Sequence, residues 1–317
     1  MRQILDTHGL VILDGALATE LERYECDLDD PLWSARVLIE APHLIKRVHL
    51  NYLAAGADCI TTATYQATFP GFARRGLSAG RSAELMRLAV DLAVDARDEW
   101  WSETEHRSGR PTPLVAASIG SYGAFLADGS EYTGDYDLDQ AHLQDFHRPR
   151  LRVLAESSPD LVAFETIPSL REGEALASLL GEFPAVWAWL SFSARDGHLT
   201  SHGEPVTDCV RRLAAYEQIA AIDINCTSPV YIPELVAAMR AETDKPIVVY
   251  PNSGETYCAE ERSWQGTAQT VSFAAHATEW YRAGARIIGG CCRTTPEDIR
   301  ALAAWARGSV QDDSTFR

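Results

Sequence analysis

Ala185-Val186-Trp187-Ala188-Trp189-Leu190 is a run of six apolar residues with no polar position between them. A strand with one wet face alternates polar and apolar, whereas a strand covered by helices on both faces does not, so this run suits a parallel sheet. Outward from it, β-rich runs recur along the whole chain: Val11–Gly15, Asp58–Tyr65, Pro113–Ile119, Leu161–Thr166, Ala185–Phe192, Ala221–Cys226, Pro246–Pro251 and Ala285–Gly289. Between them apolar residues fall on one face of a 3.6-residue period, as in Leu44, Ile45, Val48 and Tyr52, or Leu85, Leu88, Ala89 and Leu92, or Ile299, Leu302, Ala303 and Ala306. Thr295-Pro296-Glu297-Asp298 reads as a helix start, with a hydroxyl cap, proline in the first turn and acids at the positive end of the dipole. Eight β/α units in 317 residues predict an α/β fold, a (β/α)8 TIM-type barrel forming a single domain over residues 1–307. The polar stretch 308–317 is expected to be a mobile tail. An open doubly wound sheet is the alternative, and its Gly-x-Gly-x-x-Gly turn is absent after the first strand.

The charge excludes several kinds of work. With 28 basic and 45 acidic side chains the net charge is −17, which disfavours both nucleic acid and anionic membrane surfaces. Apolar runs are too short for a membrane span, and the N-terminus MRQILDTHGLVILDG lacks the pattern of a signal peptide. The seven cysteines are odd in number and widely spaced, which argues against a disulfide framework and for a reducing cytoplasm. Cys26, Cys59, Cys209 and Cys258 read as small apolar residues.

A barrel of this kind gathers its chemistry at the C-terminal ends of its strands. Those ends carry Asp14, Thr62 to Gln66, Ser121-Tyr122-Gly123, Glu165, Ser191 and Ser193, Asn225-Cys226, Asn252 and Cys291-Cys292. Cys226 ends the sixth strand and Cys291-Cys292 the eighth, so three thiolates can meet on one rim. Soft sulfur ligands select zinc among common metals, and three of them leave one position open. Such a centre is a weak activator of water but suits an incoming thiol, which is mostly protonated at neutral pH until a metal displaces its proton. Three unligated cysteines or a vicinal disulfide satisfy the same spacing.

A set of motifs runs through the strand ends: Asp14-Gly15-Ala16, Asp30-Pro31-Leu32-Trp33-Ser34, Thr64-Tyr65-Gln66-Ala67-Thr68, Gly120-Ser121-Tyr122-Gly123-Ala124 and Glu165-Thr166-Ile167-Pro168-Ser169. It continues through Asn225-Cys226-Thr227-Ser228-Pro229, Tyr250-Pro251-Asn252-Ser253-Gly254 and Gly289-Gly290-Cys291-Cys292-Arg293-Thr294-Thr295-Pro296. In these segments the chain resembles the homocysteine S-methyltransferase family. The resemblance implies a Zn(2+)-dependent barrel with Cys226, Cys291 and Cys292 as metal ligands, making methionine from homocysteine. By the same resemblance Glu165 holds the substrate's ammonium group, and the turn Asp14, Gly15, Ala16 handles the amino-acid end. Thr62 and Asn225 are further candidate contacts. No side chain is expected to act as a catalytic acid or base, because the bound substrate thiolate is itself the nucleophile.

The methyl donor is expected to be an onium cation. At this length the separate pterin-binding domain of folate-dependent relatives is not expected, nor a methylfolate donor. S-Methylmethionine is the expected donor, with S-adenosylmethionine second; betaine as donor, or selenohomocysteine or selenocysteine as acceptor, are the close variants. Trp33, Tyr65, Tyr122 and Phe125 fall in rim loops and could face such a cation. The acidic loop Asp128 to Asp139 reads as a solvated or lid loop that helps collect it. A zinc hydrolase would need harder ligands and a base beside a metal-bound water. A structural zinc would need a fourth protein ligand. The spacing does not specify an oligomeric state.

Overall fold

Trp189 is fully buried while Trp187 is 46% exposed. The strand in the apolar run therefore starts later than the sequence suggests, at Ala188, and Phe183 to Val186 form a turn closed by Val186 N–H to the Phe183 carbonyl at 2.9 Å. The computed structural model describes residues 2–28, 30, 32, 34–258, 263–265 and 273–309, with side chains of 256–258, 263–265 and 309 set aside. The expected tail lies outside this set from residue 310 on, and the last helix, Pro296–Ser309, runs into its first two residues.

The strands are β1 (Val11–Ile12), β2 (Cys59–Thr61), β3 (Leu114–Gly120), β4 (Leu161–Ile167), β5 (Ala188–Phe192), β6 (Ile219–Asn225), β7 (Ile247–Tyr250), the pair β8 (Thr256–Cys258) and β9 (Ser263–Gln265), and β10 (Ala285–Ile288). Eight of them form one parallel sheet in the order β1-β10-β7-β6-β5-β4-β3-β2. A parallel bridge between Leu13 and Cys59, with Asp14 N–H on the Cys59 carbonyl at 3.0 Å, joins its two ends into a barrel. The antiparallel hairpin β8–β9 follows β7 and is an addition that the apolar pattern did not announce.

Alternate residues of each strand enter two separate cores, as the two-residue period of a strand requires. Val11, Leu13, Cys59, Ala116, Ala163, Trp189, Ala221, Val248 and Ile287 fill the barrel, and Ile4 and Leu5 of the helix Arg2–His8 pack against this filling. Ile12, Ile60, Val115, Val162, Leu190, Ile222, Val249 and Ile288 face the helical layer. In the long helix Ala79–Ser102 the buried face is Leu85, Met86, Ala89, Val90, Ala93 and Ala96, with Leu88 and Leu92 at its margin. Thr295 donates its backbone N–H and its hydroxyl to Asp298, at 2.8 and 2.9 Å, so this helix start is fastened through the acid. Among the described residues no helix is long and apolar enough to cross a membrane.

Candidate functional site

The parity that puts Ala116, Ala163 and Ala221 inside the barrel also puts Ser118, Glu165 and Asp223 there, one pleat nearer the C-terminal rim, and Asn225 one pleat further. All four are at least nine-tenths buried. Above them the chain leaves β6 through Cys226 at φ +47°, a left-handed conformation costly for any residue with a side chain and typical of functional turns.

The Sγ of Cys226 lies 3.0 Å from that of Cys291 and 3.5 Å from that of Cys292, and the latter two are 4.0 Å apart. Among the described residues these three form the one group of histidine, cysteine or acid side chains arranged to hold a metal ion. The spread fits ions better than covalent pairing: a disulfide needs roughly 2.05 Å, whereas sulfurs placed tetrahedrally at ~2.3 Å from zinc stand about 3.8 Å from one another. Cys226 ionises first, because the Cys291 and Cys292 thiols and the Tyr132 hydroxyl hydrogen-bond to its sulfur and hold its pKa well below the usual thiol range, burial opposing. The other two thiols are pushed up, chiefly by donating to Cys226.

Glu165 stands beside this centre. Burial raises its pKa to about 7, hydrogen bonds from Ser118 and Tyr250 work against that rise, and the charge of Cys226 adds to it. Ser118 Oγ donates to its carboxylate. The Tyr250 hydroxyl in turn accepts Trp189 Nε1–H at 3.1 Å, so the carboxylate's neighbours are themselves fixed by the barrel filling. Asn225 Oδ1 accepts the Thr166 N–H at 2.8 Å and the Ser191 hydroxyl at 2.6 Å. Its Nδ2 reaches Thr166 Oγ1 at 2.9 Å and Cys291 Sγ at 3.9 Å.

The other expected positions are distributed differently. Asp14 is 4% exposed, and its carboxylate accepts the Thr61 N–H at 2.8 Å and the Thr61 hydroxyl at 3.2 Å, so it ties β1 to β2. Burial first, and the charge of Glu165 among the rest, push its pKa up to about 8. The Ala16 N–H is taken by Thr294 Oγ1 at 3.3 Å. Gly15 packs so tightly under Tyr52 and Thr294 that an added Cβ would sit 2.9 Å from the Thr294 hydroxyl. Thr62 Oγ1 accepts the Ser118 N–H at 3.1 Å and contacts Thr64 Oγ1 at 2.6 Å, a tie between strands.

Of the four aromatic candidates, Tyr65 is half-buried and within the electrostatic reach of Cys226 and Cys291. Tyr122 and Phe125 pack with each other at a ring distance of 5.7 Å and with Phe146 at 4.9 and 5.3 Å, Tyr122 also meets Tyr136 at 5.2 Å, and Arg74 stands 4.2 Å over the Phe125 ring. Trp33 lies outside the described residues. Tyr132, within the acidic loop, places its hydroxyl 3.7 Å from Cys226 Sγ. The sequence reading did not single out Tyr132, Ser118 or Asp223; an acid inside the otherwise apolar run Ile219–Ile224 was the available signal for the last.

The family model described as homocysteine S-methyltransferase matches residues 11–306. The homocysteine S-methyltransferase YbgG of Bacillus subtilis is 54% identical, covering 97% of this chain and 98% of its own. The selenocysteine Se-methyltransferase of Brassica oleracea is 47% identical, over 95% of this chain and 90% of its own. The crystal structure of the homocysteine methyltransferase MmuM from Escherichia coli in a metallated form superposes with a TM-score of 0.86 at 46% identity, covering 96% and 98% of the two chains. With a match over nearly its whole length, three thiols meeting at the barrel rim and an acid beside them, this chain belongs to the homocysteine S-methyltransferase family.

Proposed function

We propose that the protein transfers a methyl group from a sulfonium donor, S-methylmethionine or less efficiently S-adenosylmethionine, to the thiol of homocysteine, giving methionine. The observation that carries this reading is the convergence of Cys226, Cys291 and Cys292, their sulfurs all within 4.8 Å of one another. These three residues would hold Zn(2+), which when bound keeps a substrate thiol ionised at neutral pH. The all-sulfur set favours thiol chemistry over hydrolysis of water-sensitive bonds.

Glu165 accepts the ammonium group of homocysteine. A charged partner offsets the burial that otherwise favours its protonated form, and charge-assisted hydrogen bonds are the strong ones. Ser118 and Tyr250 hold the carboxylate in place for this contact, and Asn225 fixes the turn that carries Cys226. Displacing a neutral thioether from a sulfonium requires no proton transfer, which agrees with a site supplying carboxylates, hydroxyls and thiols but no histidine. Asp14, Gly15 and Ala16 shape the floor of the acceptor site through β1, with Thr62 bracing the neighbouring strand. Tyr65 presents an aromatic wall beside the thiols. A selenolate is a softer version of the same nucleophile, so selenohomocysteine or selenocysteine is the second acceptor reading, supported by the Brassica relative.

The reading is tested by incubating reduced, zinc-loaded protein with homocysteine and each of S-methylmethionine, S-adenosylmethionine and betaine under one set of conditions. Methionine should form fastest with S-methylmethionine. No methionine with any of the three would refute the assignment.

A further inference from the structure

The loop between the helices Tyr122–Leu126 and Gln140–Glu156 has a single turn of 3-10 helix, Ser130–Tyr132, and that turn is laid against the thiol centre. Several contacts fix it there. Gly123 leaves room for the backbone of Ser130 and Glu131, since a Cβ at that position would lie 2.4 Å from Glu131 N. The Glu131 carbonyl accepts the Ser193 hydroxyl at 3.2 Å, from just beyond the end of β5. Further along, the Tyr136 hydroxyl donates to Glu172, a fully buried acid that also holds His147 at 2.8 Å and the Tyr122 N–H at 2.6 Å. The adjoining Tyr132 reaches Cys226 Sγ at 3.7 Å.

So seated, Glu131 carries a carboxylate whose Oε2 is buried and receives no hydrogen bond. Among the described residues no arginine, lysine or histidine pairs with it; backbone N–H groups of Gly129 and Glu131 hydrogen-bond to the carboxylate, and its electrical neighbours are Cys226, Asp128, Tyr65, Tyr132 and Tyr136. A buried carboxylate oxygen without a donor is costly, and a cation arriving with a ligand offsets the cost. The two acids at the centre also differ in kind. The Glu165 carboxylate is held by the Ser118 and Tyr250 hydroxyls, in line with an ammonium partner, whereas Glu131 takes only backbone N–H groups and leaves Oε2 bare. A sulfonium has no N–H or O–H to donate and is attracted by charge and by aromatic faces. An oxygen that lacks donors, with two tyrosines in its electrostatic surroundings, matches a sulfonium.

We propose that Glu131 recognises the positive sulfur of the methyl donor, holding it beside the thiol centre together with Tyr65 and Tyr132. The inference rests on the methyl-transfer reading. In the transfer a bond forms between the methyl carbon and the acceptor sulfur while the donor C–S bond breaks, its electron pair staying on the donor sulfur, which becomes a neutral thioether. The attraction to Glu131 exists before the transfer and vanishes after it. It therefore strengthens donor binding and eases product release, and its loss falls on donor KM more than on kcat.

Glu131→Gln removes the charge at nearly constant shape, and Glu131→Asp retains it. For Glu131→Gln, donor KM rises at least tenfold while homocysteine KM and zinc content stay within twofold of wild type; Glu131→Asp recovers part of the loss. A donor KM that does not move, or a homocysteine KM that rises by the same factor, overturns the assignment. Calorimetric titration without homocysteine gives a reading independent of turnover: S-methylmethionine should bind Glu131→Gln more weakly, while its uncharged counterpart methionine binds both proteins alike. Equal changes for the two ligands would overturn the proposal. If the wild type binds the sulfonium through Glu131 yet forms no methionine, the methyl-transfer reading falls and the Glu131 assignment stands.

Discussion

Asn225 grips Thr166 with both ends of its amide: Oδ1 accepts the Thr166 N–H at 2.8 Å and Nδ2 donates to Thr166 Oγ1 at 2.9 Å. The two residues stand at the ends of β6 and β4, with β5 between them, and Thr166 has φ +55°. A β-branched residue in that region is strained by an amount on the order of 1–3 kcal/mol, so the clasp holds a conformation the residue would otherwise leave. Thr166 follows Glu165 and Asn225 precedes Cys226, so one buried amide sets the positions of the acid and of the metal-ligating thiol.

Asn225→Ala should therefore weaken both functions together. We expect zinc affinity to fall roughly 10–100-fold, the range for partners of metal ligands, and stability to fall by about 1–3 kcal/mol from the buried groups left unpaired. Competition with a chromophoric chelator and urea unfolding measure the two. Lost stability with unaltered zinc affinity would reduce the clasp to a packing role.

Cys226→Ser should abolish stoichiometric zinc and methyl transfer at once, because its sulfur is the one shared by both short contacts of the cluster. Metal analysis per chain and a methionine assay on the same sample check this. Full activity in the variant would remove Cys226 from the ligand set.

Glu165→Gln should raise homocysteine KM roughly 10–100-fold, the cost of exchanging a charge-assisted contact for a neutral one. Zinc content should remain that of the wild type, since Glu165 touches Ser118 and Tyr250 and is not one of the clustered ligands. Steady-state kinetics on the acceptor, with metal analysis alongside, decide it.

Gly123→Ala should hinder donor use without unfolding the barrel. The added methyl would collide with backbone atoms of Ser130 and Glu131 at 2.5 and 2.4 Å, and backbone cannot rotate away as a side chain can. A donor kcat/KM reduced at least tenfold, with a thermal midpoint within a few degrees of wild type, is the expected outcome.

His49 sets a pH dependence remote from the site. It is fully buried in the helix Pro42–Ala55, neither ring nitrogen has a partner, and burial lowers its pKa to about 4. Between that value and the unfolded value of ~6.5 the unfolded chain binds the extra proton. Stability from the neutral ring is complete above pH ~6.5 and is lost as pH falls towards 4, a total of about 3 kcal/mol. In urea unfolding from pH 7.5 to 4.5, His49→Leu should lose less stability than the wild type; parallel curves would show that His49 does not titrate as described.

The sequence alone determined the barrel and where its thiols meet. Strand number and order are written in short apolar runs, and strand ends in a closed parallel barrel share one rim whatever the details of packing. That is why Cys226, Cys291 and Cys292 could be brought together from three positions 65 and 66 residues apart. Only the tertiary structure decided how each polar group is used, since that depends on which neighbours satisfy it. The Asp14 carboxylate also accepts the Thr61 N–H and hydroxyl across the barrel seam, a tie that its place in the sequence does not announce. Tyr122 and Phe125 pack their rings on Phe146, and Tyr122 also on Tyr136, contacts set by segments that come together only in the fold. The acidic loop read as a solvated or lid loop, and its fold sets Tyr132 on Cys226 and leaves an oxygen of Glu131 buried without a donor. Periodicity records which face a residue takes; whether its hydrogen bonds are already spent is settled by residues far away in the chain.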